Sequence, residues 1–144
     1  MPETSNRSGI PKSHDILTCT IRAPQFSYAH LELITGDNTS NSQLSSSSFK
    51  ADLDPLQVKT YCTSALRQFL GLTGAAVSVD VLKVQGSECW VRVPRDDLAS
   101  FAAAMTAWRG AREDGMQSLL RLRQCSDWLG AMVGSHGQEE LWNA

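Results

Sequence analysis

The sequence predicts an α+β fold: a four-stranded antiparallel sheet with two helices packed on one face. Three observations predict it. Stretches rich in β-branched and aromatic residues alternate apolar and polar positions, two other stretches place apolar residues at helical spacing, and Pro or Gly stands where these stretches end. At 144 residues the chain has the length of one domain, and 42% apolar against 19% charged residues is enough for a core.

The first ordered block is Ile-Leu-Thr-Cys-Thr-Ile at 16–21 followed by Phe26 to Ile34, broken at Ala23-Pro24. It reads as one bent strand or two short ones. Ala29, Leu31 and Leu33 alternate with Tyr28, His30 and Glu32, the period of a half-buried strand. Asp54-Pro55 opens a helix, with an N-cap acceptor and a proline whose missing N–H costs nothing there. Val58, Cys62, Ala65, Leu66 and Phe69 form its inward stripe, and Gly71 is its C-cap. If Phe69 is buried under that helix, truncating it to Ala costs about 3–5 kcal/mol.

Ala76 to Gln85 reads as the second strand, Gly86-Ser87 as a tight turn and Cys89 to Val93 as the hairpin partner, ended by Pro94. Asp96 and Asp97 open a second helix bearing Leu98, Phe101, Ala102, Met105 and Trp108 or Arg109 on one face, with Gly110 just past its end. Met116 to Cys125 is the last strand, and 128–133 a short apolar coda. The order strand, helix, strand, strand, helix, strand is the ferredoxin-like βαββαβ pattern, with expected strand order 4-1-3-2.

Around this core the composition changes. Residues 1–14 read as a flexible tail, 15–134 as the single domain, the serine-rich stretch 36–52 as an insertion within it and 135–144 as a polar tail. Lys and Arg number 13 against 15 Asp and Glu, a formal charge of -2. That argues against a protein whose main task is to coat nucleic acid and leaves room for a local basic patch. No apolar run reaches membrane-spanning length and the first residues do not resemble a signal or transit sequence, so a soluble intracellular protein is expected. Cys19, Cys62, Cys89 and Cys125 show no metal-ligand spacing and read as reduced core thiols.

Alternation assigns the sheet face opposite the helices to Tyr28, His30, Trp90, Arg92, Arg121 and Arg123. Aromatic rings beside guanidinium groups suit two partners: unpaired RNA bases with their phosphates, or a protein interface. The RRM signature is absent, because the third strand reads Glu88-Cys-Trp-Val-Arg-Val-Pro94. Nothing supports catalysis. There is no phosphate-binding loop, nucleophile elbow or zinc-protease motif, and His14 and His136 sit in polar tails. Gly71-Leu-Thr-Gly74 follows a helix, whereas a phosphate cradle leads into one. The expectation is therefore no catalytic, cofactor-binding or metal site.

The succession Tyr28-x-His30-Leu31-x-Leu33, Leu53-Asp54, Ala65-Leu66-x-x-Phe69-Leu70-Gly71-Leu72-Thr73-Gly74-Ala75-Ala76, Val79 to Val84 and Trp90-Val-Arg-Val-Pro-Arg95 resembles the fungal Pop-eight family. These are small protein subunits of ribonuclease P and ribonuclease MRP, related to the Pop-five subunit. The resemblance covers about residues 26–133 and leaves out the serine-rich insertion.

It implies a noncatalytic subunit that forms a heterodimer with the related small subunit, in a nuclear and nucleolar particle whose RNA processes precursor tRNA or precursor rRNA. It also implies contact with the particle's other protein subunits and, directly or through them, with the catalytic RNA. Two alternatives remain from the residues alone: an autonomous single-stranded RNA-binding module of RRM type, and a small ferredoxin-like enzyme or ligand sensor with a polar-lined pocket between helix and sheet.

Overall fold

In a computed structural model, residues 13–37 and 52–132 are described. The expected tail over 1–12, most of the serine-rich insertion (38–51) and the C-terminal tail lie outside the described residues. The elements are β1 (Phe26–Asp37), α1 (Pro55–Leu70), β2 (Asp80–Gln85), β3 (Glu88–Pro94), α2 (Leu98–Ala107), β4 (Ala111–Glu113) and β5 (Met116–Ser126). Short 3₁₀ turns follow α1 (Gly71–Ala76) and precede α2 (Arg95–Asp97).

The sheet is antiparallel and five-stranded, in the order β2-β3-β1-β5-β4, which corrects the expected four-stranded 4-1-3-2 arrangement. The four anticipated strands keep their expected neighbours, and the correction is β4, added beside β5 at the edge. Its turn, Asp114-Gly115, has positive φ at both residues, 52° and 82°, as a two-residue hairpin of primed type requires. Gly110, at the entry to β4, has φ 88°, and a Cβ there would lie 2.4 Å from the Ser118 carbonyl oxygen. Only glycine lets the two backbones approach this closely.

A second correction concerns 16–21. This run forms no strand and stands in solvent, with Ile16 fully exposed. β2 begins at Asp80 rather than Ala76, because Gly71–Ala76 continues past α1 as a 3₁₀ turn. Gly74 holds that turn against the helix, and a Cβ on it would meet the Leu66 carbonyl oxygen at 2.1 Å. Pro55 occupies the first turn of α1 as expected, but the Asp54 side chain makes no capping bond.

The core lies between the helices and one sheet face. Ala29, Leu31 and Leu33 of β1, Cys89, Val91 and Val93 of β3 and Leu120 of β5 meet Val58, Cys62, Ala65 and Leu66 of α1 and Phe101, Ala104 and Met105 of α2. Tyr61 joins them. Its ring tilts at 47° against Trp108, centroids 5.2 Å apart, while its hydroxyl accepts from Gln57 Nε2 at 2.9 Å.

Phe69, expected in this core, is about half exposed instead. By the last turn of α1 the opposing α2 offers only Ala104 and Ala107, with Trp108 beyond them, and side chains so short leave the Phe69 ring in an open cleft. Phe69→Ala is accordingly expected to cost less than about 1 kcal/mol, because a half-exposed ring forfeits little burial and leaves no cavity. A urea melt of the variant checks this.

Candidate functional interface

The face of the sheet turned away from the helices follows from strand pairing. β1 lies between β3 and β5, placing His30 opposite Trp90 and Tyr28 opposite Arg92. A bulge between His30 and Leu31 shifts the register to β5, so that Glu32 faces Arg121 while Arg123 is the extra residue. β2 carries its own irregularity between Val81 and Lys83, which puts Lys83 beside Trp90. All six residues expected on this face belong to the three central strands.

They do not form one open, basic, aromatic surface. His30 and Trp90 stack almost in parallel, ring centroids 4.6 Å apart with 4° between planes. Both are nearly buried, at 5% and 8% exposure. Lys83 Nζ lies 5.4 Å from the Trp90 ring centre, and His30 Nε2 is 3.5 Å from Glu88 Oε1.

Arg92 donates from Nε at 3.1 Å and from a terminal nitrogen at 2.8 Å to the same oxygen of Asp80, and its guanidinium lies over Phe26 at 4.3 Å. Arg123 pairs with Glu32 at 3.1 Å. Arg121 is exposed and makes no ion pair among the described residues. Of four cations on this face, Arg92 and Arg123 are therefore paired with carboxylates and a third carboxylate, Glu88, stands beside His30, an arrangement that sequence alternation alone did not disclose. These pairs are largely solvent-accessible and add little stability, but they hold Arg92 and Arg123 in place and offset their charge.

At one end of the sheet a second cluster ties down the chain after β5. The buried Ser27 hydroxyl donates to Asp127, and Arg95 Nε lies 3.5 Å from the same carboxylate. Residues 129–132 then form a helical turn, in which Met132 is buried and Trp128, just before it, is half exposed.

The cysteines divide in two. Cys62 and Cys89 are buried, and desolvation pushes both thiols up, Cys89 to about 12, so they stay protonated at neutral pH. Cys125 is shifted upward for the same reason. Cys19 is exposed, which corrects its expected place in the core.

Among the described residues no group of three or more His, Cys, Asp or Glu is gathered to hold a metal ion, and no helix is long and apolar enough to cross a membrane. A cleft of about 130 Å³ lies between α1 and α2, lined by Ala65, Gln68, Phe69, Ala104, Ala107 and Trp108. It differs from the polar pocket between helix and sheet that a ligand sensor would need. Its lining holds no titratable group for acid–base work.

Residues 25–108 match the family model for the ribonucleases P/MRP protein subunit Pop8, more than half of the chain. The chain belongs to the Pop8 family. Pop8 is thus the family of ribonuclease P/MRP subunits to which the order of motifs pointed, a family of ribonucleoprotein RNA-processing particles. The match takes in β1, α1, β2, β3 and α2 and stops before β4 and β5, so Arg121 and Arg123 lie beyond the Pop8 segment.

A chain of the cryo-EM structure of yeast ribonuclease MRP shares the fold, with a TM-score of 0.59 and 18% identity, over 83% of this chain and 97% of that one. No curated protein matches the sequence.

Proposed function

We propose that the protein is a noncatalytic subunit of ribonuclease P, ribonuclease MRP or both, paired with a related small subunit and supporting RNA-catalysed processing of precursor tRNA and precursor rRNA in the nucleus and nucleolus. The observation that carries this reading is the Pop8 family match over residues 25–108. The sheet face turned away from the helices is the surface that meets the partner: Tyr28 and Arg92 touch it beside the stacked His30 and Trp90, and Arg121 and Arg123 stand at its edge, where they meet RNA.

Geometry favours a protein over RNA there. A base-stacking platform needs exposed rings, whereas His30 and Trp90 are turned into each other, and two of the three arginines are already neutralised.

Affinity purification from cells, with mass spectrometry and RNA sequencing of what is retained, tests the reading. The expected result is the related small subunit together with the RNA of ribonuclease P or MRP. Retention of neither, with tight binding of single-stranded RNA by the isolated chain at physiological salt, replaces it with an autonomous RNA-binding module.

Two expected outcomes accompany it. The purified chain alone should cleave neither precursor tRNA nor precursor rRNA with magnesium present, since no side-chain constellation for phosphoryl transfer is assembled among the described residues. Arg121→Ala with Arg123→Ala should leave heterodimer formation intact and lower the salt slope of RNA binding by the assembled particle by about 1 to 2, the count of phosphate contacts two cations can make. A filter-binding series across salt concentrations measures it.

A further inference from the structure

Residues 16–21 have the composition of a strand and no strand partner among the described residues. Ile16 is 101% exposed, Leu17 83% and Ile21 59%, values near those of an unfolded chain. None of the six residues makes a hydrogen bond to another described residue, so their backbone donors and acceptors are all available. The chain is first held at Gln25, whose carbonyl accepts from the Arg95 N–H at 3.0 Å, one residue before β1. Alternation puts Leu17, Cys19 and Ile21 on one side and Ile16, Thr18 and Thr20 on the other. No charge stands between Asp15 and Arg22.

We propose that residues 16–21 add as a strand to the open sheet edge of a partner protein in the particle. Main-chain hydrogen bonds hold the segment, and Leu17, Cys19 and Ile21 fill an apolar strip beside that edge. The inference rests on the functional reading above and goes beyond it by naming a contact separate from the sheet face turned away from the helices.

Three observations select this occupant. A run without Lys or Arg brings no cation to displace counterions from phosphates, which argues against RNA. Six strand-forming residues with free backbone groups are complementary to a row of unpaired strand groups on another chain. The edges of this chain's own sheet are poor receivers: β4 has three residues, and β2 is broken by an irregularity and carries Lys83. A second copy therefore offers no long, regular edge.

Hydrogen–deuterium exchange on the full chain, free and within the particle purified through it, reads the proposal directly. Amides of 17–21 should exchange without protection in the free chain and at least tenfold more slowly in the particle. Thr20→Pro, which removes a donor within the run, should lower recovery of the particle's proteins about tenfold while leaving the Tm of the free chain unchanged.

Equal exchange in both states, with the wild-type chain still recovering ribonuclease P or MRP RNA, overturns the added strand and leaves the functional reading standing. Failure of the wild-type chain to recover either RNA overturns both. Protection that appears in the free chain as it dimerises, or on addition of RNA alone, also overturns the proposal, assigning the run to a second copy or to RNA.

Discussion

Phe101→Ala is expected to destabilise the protein by about 3–5 kcal/mol, the largest core effect a single truncation can have here. Phe101 is fully buried and is the bulkiest side chain to be so. It is the principal apolar residue α2 sends into the cluster, where Ala104 and Met105 are its neighbours on the helix. Its surroundings cannot close over the space it leaves. On the sheet side they are strands fixed by ladders on both edges, and on the helix side α2 is held at each end, by the 3₁₀ turn before it and by buried Trp108 after it. The cost therefore includes a cavity as well as lost transfer energy.

Urea unfolding should show a lower midpoint at an unchanged slope, the signature of altered stability without altered compactness. The contrast with Phe69→Ala is the sharper test, because both are phenylalanines on inward stripes and differ only in what lies opposite them. A loss below about 1 kcal/mol at Phe101 would mean that α2 does not pack as described.

What the sequence made legible is what alternation and helical period encode locally. α1, the β2–β3 hairpin, α2 and the last strand announce themselves through spacing and terminal Pro or Gly, and the helix-facing side of the sheet follows from period two. β4 was legible in principle, since Asp114-Gly115 is a strong hairpin signal, but a three-residue strand is too short to show alternation. Residues 16–21 misled for the opposite reason: their propensity is real, and pairing needs an edge that this fold does not offer them.

Phe69 lies at the centre of the helical stripe, so period alone places it inside. Only the size of the facing α2 residues turns it out, and Tyr61, beside the stripe, takes a core position against Trp108. The candidate interface was legible as a set of positions but not as an electrostatic surface. Asp80 reaches Arg92 and Glu32 reaches Arg123 through strand order and a bulge, neither of which has a local signature.

Trp90→Ala is expected to act on folding first and on association through it. The ring is 8% exposed, lies flat on His30 and has Lys83 over it, so its removal opens a space on the sheet face turned away from α1 and α2. The stability cost should approach that of Phe101, about 3 kcal/mol or more. A double-mutant cycle with His30→Ala separates the stack from simple burial: parallel rings at 4.6 Å should couple by about 0.5–1.5 kcal/mol beyond the two single losses.

Association with the proposed small-subunit partner, measured below the variant's own melting range, should weaken by about 2 kcal/mol, because Lys83 and His30 lose the ring that orders them beside Tyr28 and Arg92. Trp90→Phe, which keeps an aromatic plane against the imidazole, should recover most of both losses. If Trp90→Ala instead abolishes association at unchanged stability, the ring belongs to the contact surface itself. The stacked pair would then open when the partner binds.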